Sequence, residues 1–183
     1  PDLDISFLNK AQEKCPKISF LNIEIRGNIS EYKDYLEKYF VDLEVPKNNF
    51  FTDISNYIAY EMGQPTHSYD FKKISGEIIL TDNLSNNTFT TLHGNKIELE
   101  KDELAFLNNY EVINLAGIMG GLNSACSKET KSALIECAYF KPDAIISKAI
   151  KYNLHSEASY KFERGVDPKN HEKVLRRFIQ IVE

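Results

Sequence analysis

The chain has 183 residues, 42 % hydrophobic and 27 % charged, with a formal net charge of −5, a balance suited to one packed globular domain or two small ones sharing a core. No apolar run approaches the ~18–20 residues that span a bilayer, and no basic leader precedes an apolar stretch as in a secretion signal. The net charge of −5 and only four arginines, none between Arg26 and Arg164, argue against a broad nucleic-acid grip, and any RNA contact should be a short single-stranded end.

Residues 1–16 read as a leader segment ahead of a globular core over 17–183, and Pro1 in place of Met points to a domain excised from a longer chain. Residues 17–26 form a strand pattern through Ile18, Phe20, Ile23 and Ile25, which Gly27 and Asn28 turn. Ser30 is placed to cap a helix over 31–40, and a second helix is predicted over 53–62, where Gly63 and Pro65 give a stop. Strands are expected at 76–81, 88–92, 96–99, 103–107, 111–116 and 133–139, with His93-Gly94-Asn95 closing a hairpin. Pro142 suits a first helical position, with Ala144 to Tyr152 continuing the helix, and a last helix opens at Asp167-Pro168. The fold class is therefore α+β, with mixed or antiparallel sheets forming a sandwich-like core and helices at both ends. The three cysteines, Cys15, Cys126 and Cys137, are odd in number and far apart, which fits reduced, buried thiols better than a disulfide framework.

Four features could carry chemistry. The run Ala116-Gly117-Ile118-Met119-Gly120-Gly121 follows a strand, but it lacks the spacing of a dinucleotide fingerprint and no helix signal opens after it. It reads equally as a structural turn and as a corner that a ligand can approach closely. Glu136 lies in the otherwise apolar strand Ala133–Phe140, either as an internal ion pair, with Arg164 as a partner, or as an acceptor facing a cavity. His67 follows the tight helix stop and has Asp70 nearby, but one imidazole with one carboxylate is usually hydrogen-bonded and no metal site is expected. The serines Ser55, Ser156 and Ser159 lack a nucleophile elbow. Residue chemistry alone reaches a small α+β domain with a polar pocket.

Three stretches are more specific. They are Thr52-Asp53-Ile54-Ser55-Asn56-Tyr57 with Glu61 to His67, Leu115 to Gly121 with Glu129-Thr130 and Ile135 to Phe140, and Leu154 to Pro168. In this order and spacing, from about Cys15 to the C-terminus, the chain resembles the third-and-fourth, editing domain of the bacterial phenylalanyl–tRNA synthetase β chain. The resemblance implies hydrolysis of tyrosine wrongly attached to tRNA(Phe), through a site that hydrogen-bonds the phenolic hydroxyl. A phenylalanine pocket rejects an added hydroxyl only about 10²-fold, whereas a site built around the hydroxyl rejects its absence by ~10⁴–10⁵.

By the same resemblance, Glu136 accepts the tyrosine hydroxyl, and Ala116, Gly117 and Gly120 form a close wall beside the ring. Ser55, Asn56 and His67 surround the ester and terminal adenosine, while Ser156 and Ala158 complete the other side. Family members often have Thr where Ser55 and Ser156 stand, so the hydroxyls are kept and the methyl packing is not. Water is expected to attack the ester, helped by positioning and backbone dipoles, with His67 orienting it rather than acting as an essential base. The resemblance further implies a cytoplasmic α2β2 synthetase, with the tRNA 3′ end, the rest of the β chain and the α chain as partners and no membrane. No cofactor is expected in this domain, because ATP and Mg belong to the absent aminoacylation site. The competing reading, from a different class, is a structural or RNA-contacting module of the β chain with no turnover of its own.

Overall fold

The computed structural model of the protein describes residues 5–29 and 31–183, so the readings of Pro1 and of Ser30 as a cap lie outside the described residues. The chain opens with β1 Ile5–Asn9 and β2 Lys17–Glu24, followed by α1 Asp34–Asp42 and α2 Phe50–Met62. Asn49 starts α2 three residues earlier than expected, its side chain accepting the Thr52 N–H, and Gly63 ends it in the left-handed conformation at φ 68°. Then come β3 Thr66–Asp70, β4 Gly76–Thr81, β5 Thr88–Thr90, β6 Lys96–Glu98, β7 Ala105–Asn108, β8 Glu111–Leu115, β9 Met119–Gly120 and β10 Ser132–Tyr139. The chain closes with α3 Pro142–Ile145, α4 Lys148–Lys151, α5 Glu157–Arg164 and α6 His171–Val182.

The strands form a five-stranded sheet in the order β1-β4-β7-β8-β9, a three-stranded sheet β2-β10-β3, and the hairpin β5-β6. The pair β1–β4 is parallel, whereas the other pairs are antiparallel, so the mixed α+β expectation holds. Strand alternation then divides the interior. On β10, Leu134 and Ala138 share a core with Ile78, Leu80, Phe106 and Leu115 of the larger sheet. The intervening Ala133, Ile135 and Cys137 pack instead with Leu36 and Phe40 of α1, Phe51, Ile54 and Ile58 of α2, and Val174 and Phe178 of α6. The layers are therefore sheet, sheet and helices, with an apolar core on each side of β10.

Several expectations are corrected here. Residues 5–15 are no leader: β1 is an edge strand of the main sheet, and Ala11 and Cys15 are buried in its core. The helix expected from Ala144 to Tyr152 is broken by Ser147 at φ 67°, which leaves the short α3 and α4. The last helix begins at His171, because Asp167 to Asn170 close a turn in which the Asn170 N–H donates to the Asp167 carbonyl. Both β3 and α5 are additional to the predicted elements.

Candidate functional site

Between the two sheets lies a small cleft of about 60 Å³, well below the ~300–1,000 Å³ common for ligand sites. Its walls are Ile118, Met119, Phe162 and Ala158, with Gly117 and Gly120 on the β8–β9 corner, and its polar lining is Thr66, His67, Asn114 and Glu136. No lysine or arginine lines it. Strand register assembles the polar end, since Glu136 on β10 is paired with His67 on β3 and both face the larger sheet. On the opposing sheet, β8 carries one extra residue against Phe106 and Leu107. Such a bulge re-aims the side chains beside it, and Asn114 comes to face Glu136. The Ile113 carbonyl at the bulge is satisfied by the Gly121 N–H at 2.8 Å and the Ser124 hydroxyl at 3.1 Å. A Cβ on Gly121 would lie 2.7 Å from that same oxygen.

Glu136 is 4 % exposed. The Tyr69 hydroxyl donates to its Oε2 at 2.6 Å, Asn114 Nδ2 donates to the Tyr69 oxygen at 2.9 Å, and the same amide lies 3.4 Å from Oε2. Among the described residues nothing hydrogen-bonds Oε1. Burial pushes the carboxyl up from its ordinary 4.5 to about 7, against the opposing pull of the Tyr69 and Asn114 bonds. The suggested ion pair with Arg164 does not form, because that guanidinium donates to the Tyr160 carbonyl and stacks on the Tyr160 ring at 3.4 Å.

His67 packs edge-on against Tyr69, with centroids 4.4 Å apart, and its ring lies directly over Gly120, where a Cβ would overlap Cε1. Burial lowers the imidazole to about 4, so it is neutral at pH 7. Among the described residues, its Nε2 and the Thr66 Oγ1 are both buried without a hydrogen-bond partner, and buried polar atoms in that condition point to a ligand or water that completes them. Asp70 does not pair with His67; its carboxylate accepts from the Thr130 hydroxyl and the Lys72 N–H.

Among the residues predicted from sequence, the cleft brings together Glu136, His67, Gly117, Gly120 and Ala158. Ala116 is buried and does not line the cleft. Ser156 caps α5, and its hydroxyl donates to the Ile118 carbonyl at 2.7 Å, tying the helix to the glycine corner. Ser55 and Asn56 are not brought there. Ser55 Oγ is 2.9 Å from Ser68 Oγ, on the face of the three-stranded sheet that packs against α2, opposite Glu136. Asn56 is exposed and lines a separate depression with Tyr60 and Lys161. Sequence reasoning missed Tyr69, Asn114 and Thr66. Asn114 carried a usable signal, as a polar residue inside the apolar run Val112 to Ala116. Among the described residues, the acidic group with metal-holding geometry is Glu100, Asp102 and Glu103, and Lys148 and Lys151 already bind Glu103 at 2.8 and 2.6 Å. No described helix is long and apolar enough to cross a membrane.

The B3/4 domain family model matches residues 15–183. The phenylalanine–tRNA ligase β subunit of Pectobacterium atrosepticum is 37 % identical over 130 residues, 71 % of this chain and 16 % of that protein. The same subunit of Psychrobacter arcticus is 33 % identical over 172 residues, 94 % of this chain and 22 % of its own length. The chain thus spans roughly a fifth of these curated relatives. Among solved structures, an N-terminal fragment of the phenylalanyl-tRNA synthetase β subunit from Pyrococcus horikoshii superimposes with a TM-score of 0.54 at 12 % identity. The superposition covers 85 % of this chain and 49 % of that one, and shows a shared fold.

Proposed function

The chain belongs to the B3/4 domain family, and from that premise we propose that it is a single editing domain, whose cleft receives the tyrosyl end of mischarged tRNA(Phe) and hydrolyses the aminoacyl ester. One observation carries the reading: a buried carboxylate, Glu136, lines the cleft with one oxygen held and the other unused. A phenol satisfies that oxygen, whereas a phenyl ring leaves it desolvated and unpaired, at a cost of about 1–3 kcal/mol. The Gly117–Gly120 corner lets the aromatic ring lie against backbone.

In this reading the neutral His67 holds the attacking water through its unpartnered Nε2. Water oxygen adds to the ester carbonyl carbon, and the ester oxygen leaves with a proton as the ribose hydroxyl. Most of the acceleration comes from positioning, and the step needs no cofactor. The relatives are ligase β subunits, so the domain would work inside a cytoplasmic α2β2 synthetase, with the remaining β chain and the α chain as partners. A second reading, ligand binding without turnover, is favoured by the position of Ser55 and Asn56 outside the cleft.

The test is deacylation of Tyr–tRNA(Phe) and Phe–tRNA(Phe) by the chain and by Glu136→Ala. Tyrosine-selective hydrolysis, reduced at least tenfold in the variant (about 1.4 kcal/mol), is expected. Equal hydrolysis of both esters contradicts the reading. Selective binding of a tyrosyl analogue without hydrolysis favours the module.

A further inference from the structure

Glu136 has no cationic partner in the cleft, yet its side chain is held in one orientation. The terminal torsion of a glutamate is soft, and a carboxylate offers about four lone-pair sites, so an unrestrained carboxyl could present either oxygen to a ligand. Here the donors are ordered. Asn114 donates to the Tyr69 oxygen, which commits the single phenolic proton of Tyr69 to Glu136 Oε2 at 2.6 Å. A short O–H···O⁻ contact of this length belongs to the strong, charge-assisted class, and consecutive bonds in one direction polarise each other. Tyr69 is itself immobilised, fully buried with its ring against His67 and Phe106.

We propose that Tyr69 and Asn114 are positioning residues that clamp Oε2 of Glu136, so that the carboxyl meets an incoming hydroxyl with Oε1 alone. The proposal rests on the reading of the cleft as a phenol site. The ionised carboxyl accepts the ligand hydroxyl at Oε1. In the neutral form, Oε2 still accepts from Tyr69, so the proton resides on Oε1 and is donated to the ligand oxygen instead. Either state distinguishes a phenol from a phenyl ring, and the clamp sets the balance between them near neutral pH. The titratable groups packed around Glu136 are His67 and Tyr69 from β3, Cys137 from β10 and Cys15 from the segment before β2. Burial keeps His67 neutral and raises both thiols to about 12, so Glu136 alone among them titrates near pH 7.

The experiment follows the Glu136 carboxyl carbon by NMR across pH 5 to 9 (roughly two pH units either side of neutrality) in the chain, in Tyr69→Phe and in Asn114→Leu. Tyr69→Phe keeps the ring and removes one hydroxyl, and Asn114→Leu removes the amide that contacts both Tyr69 and Glu136 while leaving the Tyr69 hydroxyl in place. Thermal unfolding verifies that each variant is folded. In parallel, binding of 3′-tyrosylamino- and 3′-phenylalanylamino-adenosine is measured at pH 7. Tyr69→Phe is expected to raise the Glu136 midpoint by about one pH unit and to cut the tyrosyl preference about tenfold. Asn114→Leu should move both in the same direction by less. An unmoved Glu136 midpoint in a folded Tyr69→Phe protein overturns the clamp, whatever the ligands do. A shifted midpoint in a protein whose parent chain shows no tyrosyl preference overturns the phenol reading and leaves the clamp standing.

Discussion

At the residue scale, Glu136 is a carboxyl held in surroundings that oppose its charge. Its carboxyl titrates near 7 in the fold against 4.5 ordinarily, because burial outweighs the two bonds to Oε2. A folded-state value above the unfolded one means that stability is full below about pH 4.5 and is lost as pH rises through 7. Glu136→Gln removes this titration and keeps an oxygen for Tyr69, so the variant should gain about 1–3 kcal/mol on the parent chain between pH 5 and 8. Urea unfolding at the two pH values measures the gain, and a difference that does not change with pH contradicts the assignment. His67 and His171 act in the opposite window. Burial lowers both to about 4, so their contribution is full above 6.5 and is lost as pH falls through 4. Both remain in the variant, so the difference between the two proteins isolates Glu136. The residue was legible in sequence because a lone carboxylate in Ala133–Phe140 must be satisfied by something. Its partners were less so, since Tyr69 lies 67 positions away in sequence and only strand pairing brings the two together.

At the element scale, α5 decides whether the cleft has a second wall. Ser156 makes a capping box with Ser159 and donates to the Ile118 carbonyl, so one side chain starts the helix and fixes it to the glycine corner. Ser156→Ala should destabilise the chain by about 1–2 kcal/mol, with faster amide exchange in both α5 and residues 116–119. An effect confined to α5 would show that the tie to Ile118 is dispensable. The helix escaped prediction because Glu157–Arg164 carries few large apolar residues and its capping box uses Ser where Glu or Gln is usual. β3 was hidden for a related reason, since Thr66-His67-Ser68-Tyr69-Asp70 shows no apolar alternation and gains its place by pairing with β10. By contrast, β4 was recovered at its limits, and the Gly63 stop at its residue, because local pattern and backbone demand agree there. The place of Ser55 outside the cleft was readable in the sequence. It falls four residues after Phe51 and three before Ile58, on the buried stripe of α2 that faces away from the cleft.

At the scale of the whole molecule, the three-stranded sheet divides the labour. Its helix-facing side is apolar packing against α1, α2 and α6, which holds β10 in register. Its other side carries Glu136, His67 and Tyr69 toward the larger sheet, so the cleft lies between two supported layers rather than among loops. The −5 charge and the absence of lysine and arginine from the cleft suit recognition of an amino acid side chain, with little direct grip on phosphate. The B3/4 match covers this whole arrangement except the strand β1 and its following turn. The most direct test of the central claim is calorimetric binding of 3′-tyrosylamino-adenosine and 3′-phenylalanylamino-adenosine to the chain and to Glu136→Ala. The predicted result is a tyrosyl preference of at least about tenfold, roughly 1.4 kcal/mol, that disappears in the variant. Equal affinities in the parent chain, or a preference that survives the substitution, would contradict the role assigned to Glu136.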